Sequence, residues 1–412
     1  MTAAEPTVFT APRIVTCDPA TATTANPLGA IDDGAIAVDE HGRFSFVGSR
    51  ADAPRGLRTI ALGGVVLPGL VDAHTHAAWV GSRHDEYAMR MAGCDYRDIA
   101  ARGGGIVASQ RAIAEVDTEA VARVLEARLR RMASLGVTTV EVKSGYGLVP
   151  ELELRQLRAI AQARADASLP HVVPTFLGLH ALPKEMRDDR DAYVARVVGE
   201  LLPRVAAEGL ARYVDAYVDA NAFTTAEAKG LGVAARGLGL DVRLHVGQFA
   251  DVGGAELSAE LGAHSADHLE NVGAKGVLAL ASAGVFAGLL PLASFTLGQA
   301  PPDVAALRAA GVRLVVASDA NPGTAPTESL PLALAFAVRS YGLSPDEALL
   351  GATQNAAESL GLGASKGRIR VGYDADFAAF DLPHEIGVVQ PFGVARTRLV
   401  VREGHALHGT LA

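Results

Sequence analysis

The chain has 412 residues, of which 49% are hydrophobic and 20% are charged, a composition that excludes an intrinsically disordered protein. Its 46 acidic residues outnumber its 37 basic ones and no long lysine/arginine block occurs, so we expect no nucleic-acid partner. Its two cysteines, Cys17 and Cys94, are too few for a disulfide framework, and MTAAEPTVFT lacks the pattern of a signal peptide, so we expect a cytoplasmic protein.

The two ends of the chain have a β-rich pattern. Up to about residue 67, short alternating segments such as APRIVTC and GRFSFVG are separated by turns that contain Asp-Gly or His-Gly. Residues 363–412, with KGRIRVGYDADFAAFD and TRLVVREGHALH, follow the same pattern. Both ends therefore predict short strands that flank a different middle region.

The middle region, residues 67–362, alternates short β-rich runs with helical patterns rich in Ala, Leu and Arg. This α/β alternation predicts a parallel sheet, and eight such runs favour a closed (β/α)8 TIM-like barrel over an open sheet. The predicted strands are a run ending at His76 and segments 137–144, 171–180, 212–219, 241–246, 265–269, 283–290 and 312–319. In such barrels the chemistry lies at the carboxyl ends of the strands.

One long apolar segment, residues 276–298, has the length and composition of a membrane span. It contains Gly284, Gly288 and Pro291, which would interrupt a spanning helix. We therefore predict a helix end, a buried strand and a loop there, and no association with a membrane.

The segment VDAHTHAAWVGSR ends the first predicted strand. Residues i and i+2 of a strand point to the same face, so we expect His74 and His76 to point into the mouth of the barrel and Thr75 to point away. Two imidazoles on one face can bind the same metal ion. Two polar residues that merely end a strand would give the same pattern.

Other strand ends favour the metal site. Strand five ends with His245 in LHVGQ, strand six with His268 in SADHLE, and strand eight with Asp319 in VASDANPGT. Three imidazoles and one carboxylate form a ligand set that suits Zn²⁺ or Fe²⁺. We therefore predict a metal centre at the carboxyl end of the barrel.

This arrangement, with H-x-H on strand one, histidines on strands five and six and an aspartate on strand eight, resembles the amidohydrolase superfamily. The resemblance implies that residues 1–66 and 363–412 form a small composite β-sandwich domain beside the barrel of residues 67–362. Binuclear members carry a carboxylated lysine on strand four, and the fourth strand here, RYVDAYVD, has none. We therefore expect one divalent metal ion per chain, Zn or Fe, and a structural role for Lys143 on strand two.

Several segments between residues 67 and 360 resemble the imidazolonepropionase family: AWVGSRHDEYAMR, EVKSGYGL, FLGLHALPKE and SDANPGTAPTESL. The resemblance implies hydrolysis of a ring C–N bond of 4-imidazolone-5-propanoate to N-formimino-L-glutamate, a step of histidine degradation. It implies the metal ligands His74, His76, His245 and Asp319. The catalytic residues would be His245 as a ligand, Asp319 as proton carrier, and His268, which would orient the water or polarise the ring carbonyl.

The substrate of that family carries a propionate, and an acidic chain needs a local cation to bind it. The resemblance assigns this role to Arg83, whose planar fork suits a bidentate carboxylate. Tyr146, between Gly145 and Gly147, would stack on the ring and bond the carboxylate. His180, at the end of strand three, would bond the substrate carbonyl or carboxylate.

The remaining substrate contacts implied by the resemblance lie in the loops after strands five and eight. Gln248 can donate and accept a hydrogen bond at once, which matches a ring with N–H and C=O groups. Asn321, Gly323 and Thr324 precede a helix predicted to begin near Thr327, where backbone N–H groups can face an anion. Gln248 and Thr324 would also be ordinary as turn residues.

Two other functions remain open. A deaminase or cyclic amidase acting on another small heterocycle would use the same metal ligands, but an uncharged base would not need Arg83. A catalytically inactive relative would be expected to lack ligands, and none of the four is missing. We expect a small-molecule substrate and a homodimer.

Overall fold

The computed structural model describes residues 4–94, 104–186, 188–392, 394 and 396–411. The chain begins with strands, as the alternating pattern predicts. They are β1 (Thr7–Val15), β2 (Ala30–Val38), β3 (Phe44–Ser49), β4 (Arg58–Ala61) and β5 (Val65–Pro68). β2 pairs antiparallel with both β1 and β3.

The middle of the chain forms the predicted barrel. In the described part of the chain its eight strands are parallel, and their order in space is their order in the sequence. The strands are β6 (Leu70–Asp72), β7 (Val137–Lys143), β8 (His171–Leu179), β9 (Tyr213–Val218), β10 (Asp241–Val246), β11 (Ser265–His268), β12 (Phe286–Leu289) and β13 (Leu314–Val316). They are almost entirely buried, as expected for a parallel sheet that is covered by helices.

The barrel closes just beyond the carboxyl ends of β6 and β13. Thr75 and Ala320 form a parallel bridge there. The Asp319 N–H donates to the His74 carbonyl over 3.1 Å, and the His76 N–H donates to the Ala320 carbonyl over 3.0 Å. Closure therefore brings the H-x-H segment against the predicted aspartate.

Helices connect the strands on the outside of the barrel. In α3, Val121, Leu125 and Leu129 recur at a spacing of four and bury one face. The described helices are α1 (His84–Met91), α2 (Ile106–Ala114), α3 (Thr118–Ala133), α4 (Pro150–Ala165), α5 (Arg190–Arg196), α6 (Leu202–Ala207), α7 (Thr225–Gly237), α8 (Gly254–Glu260), α9 (Ala274–Ala283), α10 (Pro291–Leu297), α11 (Val304–Ala309), α12 (Leu330–Ser340), α13 (Pro345–Gly351) and α14 (Gln354–Ser359). A π-helical segment, Val197–Leu201, joins α5 to α6.

The last strands return to the N-terminal ones. They are β14 (Phe377–Phe380), β15 (Thr397–Arg402) and β16 (His405–His408). Counting described residues only, the resulting sheet has eight strands in the order β16-β15-β14-β5-β1-β2-β3, with β4 also paired to β1. It encloses its own apolar cluster, in which Phe9 packs edge-on against Phe377 with 5.0 Å between ring centroids. Both chain ends thus form one separate sheet, as expected, while the domain boundaries at residues 66 and 363 stay predictions.

The apolar run predicted as the first barrel strand is divided between two sheets. β5 pairs with β1 and β14 in the end sheet, and β6 pairs with β7 in the barrel. Gly69 separates them, and a Cβ at this position would overlap the side chain of Thr138 in β7. The prediction of one continuous strand was therefore wrong. The strand with which each half pairs, and not its hydrophobicity, determines where β5 ends and β6 begins.

Two predicted segment ends differ from the structure. Residues 276–298 contain most of α9 and then β12, as predicted, but the expected loop is the short helix α10, whose first position is Pro291, where the missing N–H costs nothing. The helix expected near Thr327 begins at Leu330, because the Ser329 side chain caps it by accepting the Leu332 N–H. None of the described helices is long and apolar enough to cross a membrane.

Candidate metal centre and active site

Four of the predicted residues converge at the carboxyl end of the barrel. His74 and His76 follow β6, His245 lies in β10, and Asp319 follows β13. His76 Nε2 lies 3.2 Å from His245 Nε2, and Asp319 Oδ1 lies 3.6 Å from His74 Nε2 and 3.5 Å from His76 Nε2. All four residues are buried. Side chains from three strands that are distant in the sequence thus direct their polar atoms at one point.

The directions of the ring nitrogens fit a metal ion. His74 Nδ1 is hydrogen-bonded to Asp267 Oδ2 at 2.7 Å, and His245 Nδ1 lies 2.9 Å from Asp215 Oδ2. A carboxylate at Nδ1 keeps the proton there and leaves the lone pair on Nε2. His74 Nε2 is buried and has no hydrogen-bond partner among the described residues. The Nε2 atoms and the Asp319 carboxylate therefore form a donor set that suits Zn²⁺ or Fe²⁺.

The protonation of the site is set by its burial. Burial lowers the pKa of His74, His76 and His245 well below the usual value, so these rings are neutral near pH 7, as metal binding requires. Burial raises the pKa of Asp319 to about 6. The site therefore offers neutral nitrogen donors and one carboxyl group that titrates close to neutrality.

His268 lies beside these four residues. Its ring centroid is 5.4 Å from that of His245 and 6.0 Å from that of His74, and the three rings offer nitrogen atoms within 4.8 Å of one another. Burial lowers the pKa of His268, but Glu270, whose Oε2 lies 3.7 Å from His268 Nδ1, outweighs burial, so that the pKa is raised. His268 can therefore supply a proton or a hydrogen bond to the centre.

The backbone is strained at two of these residues. The φ angle is 82° at His268 and 51° at Asp319, in the left-handed region that residues with a Cβ rarely adopt. Strain of this kind costs about 1–3 kcal/mol per residue and persists where the surrounding structure holds it, which is commonest at functional sites. At Asp319 the holding contact is the N–H bond to the His74 carbonyl that closes the barrel.

Arg83 precedes α1 and lies in a buried ion pair. Its Nε and Nη2 donate to Glu86 Oε2 over 2.9 and 2.6 Å, and Glu86 Oε1 accepts the Gly105 N–H over 3.0 Å. The guanidinium packs on Gly323, where a Cβ would lie 2.5 Å from Nη1. Arg83 is thus beside the loop after strand eight, as its proposed role requires. Glu86 accepts hydrogen bonds from Nε and Nη2 of the guanidinium. A substrate carboxylate that binds Arg83 with both oxygens would therefore have to use Nη1 and Nη2.

Tyr146 and His180 surround His76. The rings of His76 and His180 are nearly parallel with 5.3 Å between centroids, and the Tyr146 ring is 5.5 Å from His180 and 5.9 Å from His76. His180 Nδ1 lies 2.7 Å from the Gly145 carbonyl, so Nδ1 carries the proton. Burial lowers the pKa of His180 to about 4, and the ring is neutral near pH 7. The rings of Tyr146 and His180 therefore pack beside His76 at the candidate metal centre.

Gln248 lies three residues after His245 and is held by Tyr217, whose ring packs against His245. Its Oε1 accepts a hydrogen bond from the Tyr217 hydroxyl over 2.7 Å, and its carbonyl accepts from Asn271 and Gln299 over 2.8 and 2.7 Å. The Tyr217 ring packs edge-on to the His245 ring at 5.9 Å. Tyr217 therefore contacts both the Gln248 amide and the ring of His245.

Asn321, Gly323 and Thr324 form one hydrogen-bonded loop. Asn321 Oδ1 accepts the N–H groups of Gly323 and Thr324 over 2.8 and 2.7 Å, and Asn321 Nδ2 donates to the Asp319 carbonyl over 2.7 Å. The expectation that these N–H groups face an anion was therefore wrong, because the Asn321 side chain takes both of them. The loop instead supports Asp319 and presents Gly323 to Arg83.

Sequence reasoning missed the acidic groups that hold the functional side chains. These are Asp215 in β9, Asp267 in β11 and Glu86 in α1, all buried. A charged residue inside a predicted buried strand was the available signal for Asp215 and Asp267, because a buried carboxylate requires a partner. For Glu86 the sequence offered only its position three residues after Arg83 on a helix.

The chain belongs to the amidohydrolase family, whose model matches residues 65–406. Within that family it is similar to imidazolonepropionases over nearly its whole length. Those of Acidiphilium cryptum and Shewanella piezotolerans are 46% and 40% identical to it, over 90% and 93% of this chain and 91% and 95% of their own lengths.

Solved structures share the architecture at low sequence identity. An adenosine deaminase from Xanthomonas campestris with bound zinc has a TM-score of 0.73 at 20% identity, over 98% of this chain and 92% of that one. An atrazine chlorohydrolase from Arthrobacter aurescens complexed with zinc has a TM-score of 0.70 at 18% identity, over 98% and 97%. These similarities confirm the fold, a (β/α)8 barrel with a separate sheet from both chain ends.

Proposed function

We propose that this chain is a metal-dependent hydrolase that opens the ring of 4-imidazolone-5-propanoate to give N-formimino-L-glutamate. The observation that carries the proposal is the convergence of His74, His76, His245 and Asp319 on one point. The high similarity to imidazolonepropionases supports this reaction over that of another cyclic amidase or a deaminase.

The proposed cofactor is one divalent ion, Zn²⁺ or Fe²⁺, held by His74, His76, His245 and Asp319. Such an ion lowers the pKa of a bound water towards neutrality and polarises a carbonyl oxygen. We expect one ion rather than two because β9 carries Asp215, and no lysine, towards the centre.

In the proposed reaction, the oxygen of water adds to the ring carbonyl carbon, and the bond from that carbon to the ring nitrogen breaks. Asp319 takes a proton from the water and delivers it to the leaving nitrogen, while His268 donates a hydrogen bond to the carbonyl oxygen. The carbon becomes a carboxylate and the nitrogen stays in the formimino group.

The substrate would lie between two sides of the site. Arg83 is the proposed partner of the propionate, since a chain with a net charge of −9 needs a local cation to bind an anion. Tyr146 and His180 would pack against the planar ring, and Gln248 would hydrogen-bond to it from the side of His245. Asn321, Gly323 and Thr324 would keep Asp319 and Arg83 in place.

The test is a coupled assay with substrate made in situ from urocanate by urocanase. We expect loss of the imidazolone absorbance and formation of formiminoglutamate. Arg83→Ala should raise KM about 10- to 100-fold, because a hydrogen bond to a charged group contributes roughly 1.5–3 kcal/mol.

Arg158→Ala is the matched control for this substitution. Arg158 lies on α4 in an exposed ion pair with Glu208, 3.0 Å apart, and its removal should leave KM unchanged. A protein shown to hold one Zn or Fe per chain that does not accelerate the reaction would contradict the proposal. Cyclic amides and amino-heterocycles would then be the substrates to screen.

A further inference from the structure

A buried group of charges lies behind the metal ligands, and Lys143 in β7 is at its centre. Lys143 Nζ lies 2.8 Å from Glu141 Oε1 and 2.9 Å from Asp215 Oδ2, and all three side chains are fully buried. We call these three residues the Lys143 network. Burial lowers the pKa of Lys143, but Asp215 and Glu141 outweigh burial and raise it above its usual value, so the ammonium stays charged.

One arm of the network reaches the metal ligand on strand five. Asp215 Oδ1 accepts the backbone N–H of His245 over 3.2 Å, and Asp215 Oδ2 lies 2.9 Å from His245 Nδ1. The same Oδ2 is the atom that contacts Lys143. Asp215 therefore contacts both the backbone and the ring of His245, and the carboxylate oxygen at the ring also forms the ion pair with Lys143.

The other arm reaches the H-x-H segment. Glu141 Oε2 accepts the Thr75 N–H over 3.1 Å, and the Glu141 carbonyl accepts the Thr75 hydroxyl over 2.7 Å. The backbone N–H of Lys143 donates to the Thr75 carbonyl over 3.0 Å. Thr75 lies between His74 and His76, so this arm fixes the backbone that carries two further ligands.

A second buried cation has a similar position. Arg243 Nη2 lies 3.5 Å from Asp267 Oδ2, which binds His74 Nδ1, and donates to the Ala73 carbonyl over 2.8 Å. The two buried cations, Lys143 and Arg243, thus each pair with a carboxylate that contacts a histidine of the candidate centre, Asp215 and Asp267.

We propose that Lys143 is a positioning residue of the metal centre, whose ammonium holds Asp215 and Glu141 where they direct His245 and the H-x-H segment at one ion. The inference rests on the proposed metal centre. Without the ammonium, two buried carboxylates would face each other without a counter-charge. They would separate, and His245 would lose the partner that orients its ring.

The test measures zinc affinity directly, independently of activity. Metal-free protein would be titrated with Zn²⁺ against a chromophoric chelator, with folding checked by circular dichroism. We expect Lys143→Met to weaken zinc binding about 10- to 100-fold, the usual effect of losing a group that orients a metal ligand. Lys366→Met is the matched control, because Lys366 is also a buried lysine held by carboxylates, Asp374, Asp376 and Glu403 at 3.0, 2.7 and 3.6 Å, next to the end sheet.

A double substitution distinguishes positioning from general destabilisation. If Lys143 acts through Asp215 and Glu141, the zinc affinity lost in Lys143→Met with Asp215→Asn should be smaller than the sum of the two single losses, because Asp215→Asn has already removed the Asp215 arm and only the Glu141 arm remains to be lost. Additive losses, wild-type affinity in Lys143→Met, or an equal loss in Lys366→Met would overturn the inference. If Lys143→Met does not fold, Lys143→Gln replaces it, and the zinc affinities of Lys143→Gln, Asp215→Asn and their combination are compared in the same way. A wild-type protein that binds no zinc would instead contradict the proposed metal centre itself.

Discussion

Two glycines leave room for charged side chains at the candidate site. A Cβ at Gly288 would overlap the Asp267 carboxylate, which orients His74, and a Cβ at Gly323 would lie 2.5 Å from Arg83 Nη1. Neither glycine has a positive φ. Glycine is therefore required at these two positions because a side chain would not fit, and not because the backbone adopts a conformation that only glycine favours.

Gly323→Ala should displace the Arg83 guanidinium and weaken substrate binding without affecting the metal. We expect kcat/KM to fall about 10- to 100-fold, because small errors in the position of a binding group have effects of this size. Metal content should remain at the wild-type value.

Gly230→Ala is the control for this alanine substitution. Gly230 lies in α7 with nothing within 4 Å of the added Cβ, and alanine there should stabilise the helix by about 0.5–1 kcal/mol and leave kcat/KM unchanged. Wild-type kcat/KM in Gly323→Ala would show that the close approach of Arg83 is not required.

At the scale of elements, one carboxylate joins two helices on the outside of the barrel. Glu227 forms a capping box with Thr224 at the start of α7. It also accepts a hydrogen bond from Arg190 Nη2 in α5 over 2.7 Å. The bond from Arg190 holds the pKa of Glu227 near 2, below its usual 4.5.

Glu227→Gln should therefore change the pH dependence of stability. A lowered pKa in the folded state stabilises the protein fully above pH 4.5, and this contribution disappears as the pH falls to about 2. We expect Glu227→Gln to be about 1 kcal/mol less stable than wild type at pH 7, with the difference shrinking below pH 4.5. Urea unfolding at pH 7, 5 and 3 measures this, and a difference independent of pH would contradict it.

The order of elements follows from local patterns, whereas their pairing does not. The predicted segments 241–246 and 265–269 match β10 and β11 to within one residue, because runs of buried residues between polar turns are readable in the sequence. The run ending at His76 was read as one strand and is two. Its β5 and β6 halves are both fully buried, and their partners, β14 and β7, distinguish them.

At the scale of the whole molecule, the proposed metal ion would join parts of the barrel that are far apart in the chain. Three of its proposed ligands follow β6 and β13, the two strands between which the barrel closes. The fourth lies in β10, in the middle of the strand order. The unfolded chain does not hold these groups together. Metal binding should therefore stabilise the folded barrel.

Removal of the metal should lower the melting temperature. At a free metal concentration 1,000 times Kd, the expected stabilisation is about 4 kcal/mol. Zn²⁺ should restore the melting temperature, whereas Mg²⁺ should not, since it prefers oxygen ligands. Differential scanning calorimetry with and without chelator measures the effect, and His245→Ala should not respond. A wild-type protein whose metal-free form melts at the same temperature would contradict a ligand set that spans the barrel.

Local pattern and residue chemistry were sufficient to predict the barrel, the β-rich chain ends and the donor types at the strand ends, whereas the joining of both ends into one domain was predicted from the family resemblance. Periodicity and ligand preference are properties of short segments, and so they are present in the sequence. The tertiary structure alone decided that Asp215 faces His245, that Asp267 faces His74 and that Glu86 takes one edge of the Arg83 fork. The first two contacts join different parts of the barrel and exist only after it has closed, whereas the third is a local contact at the start of α1 whose side-chain directions the sequence does not give.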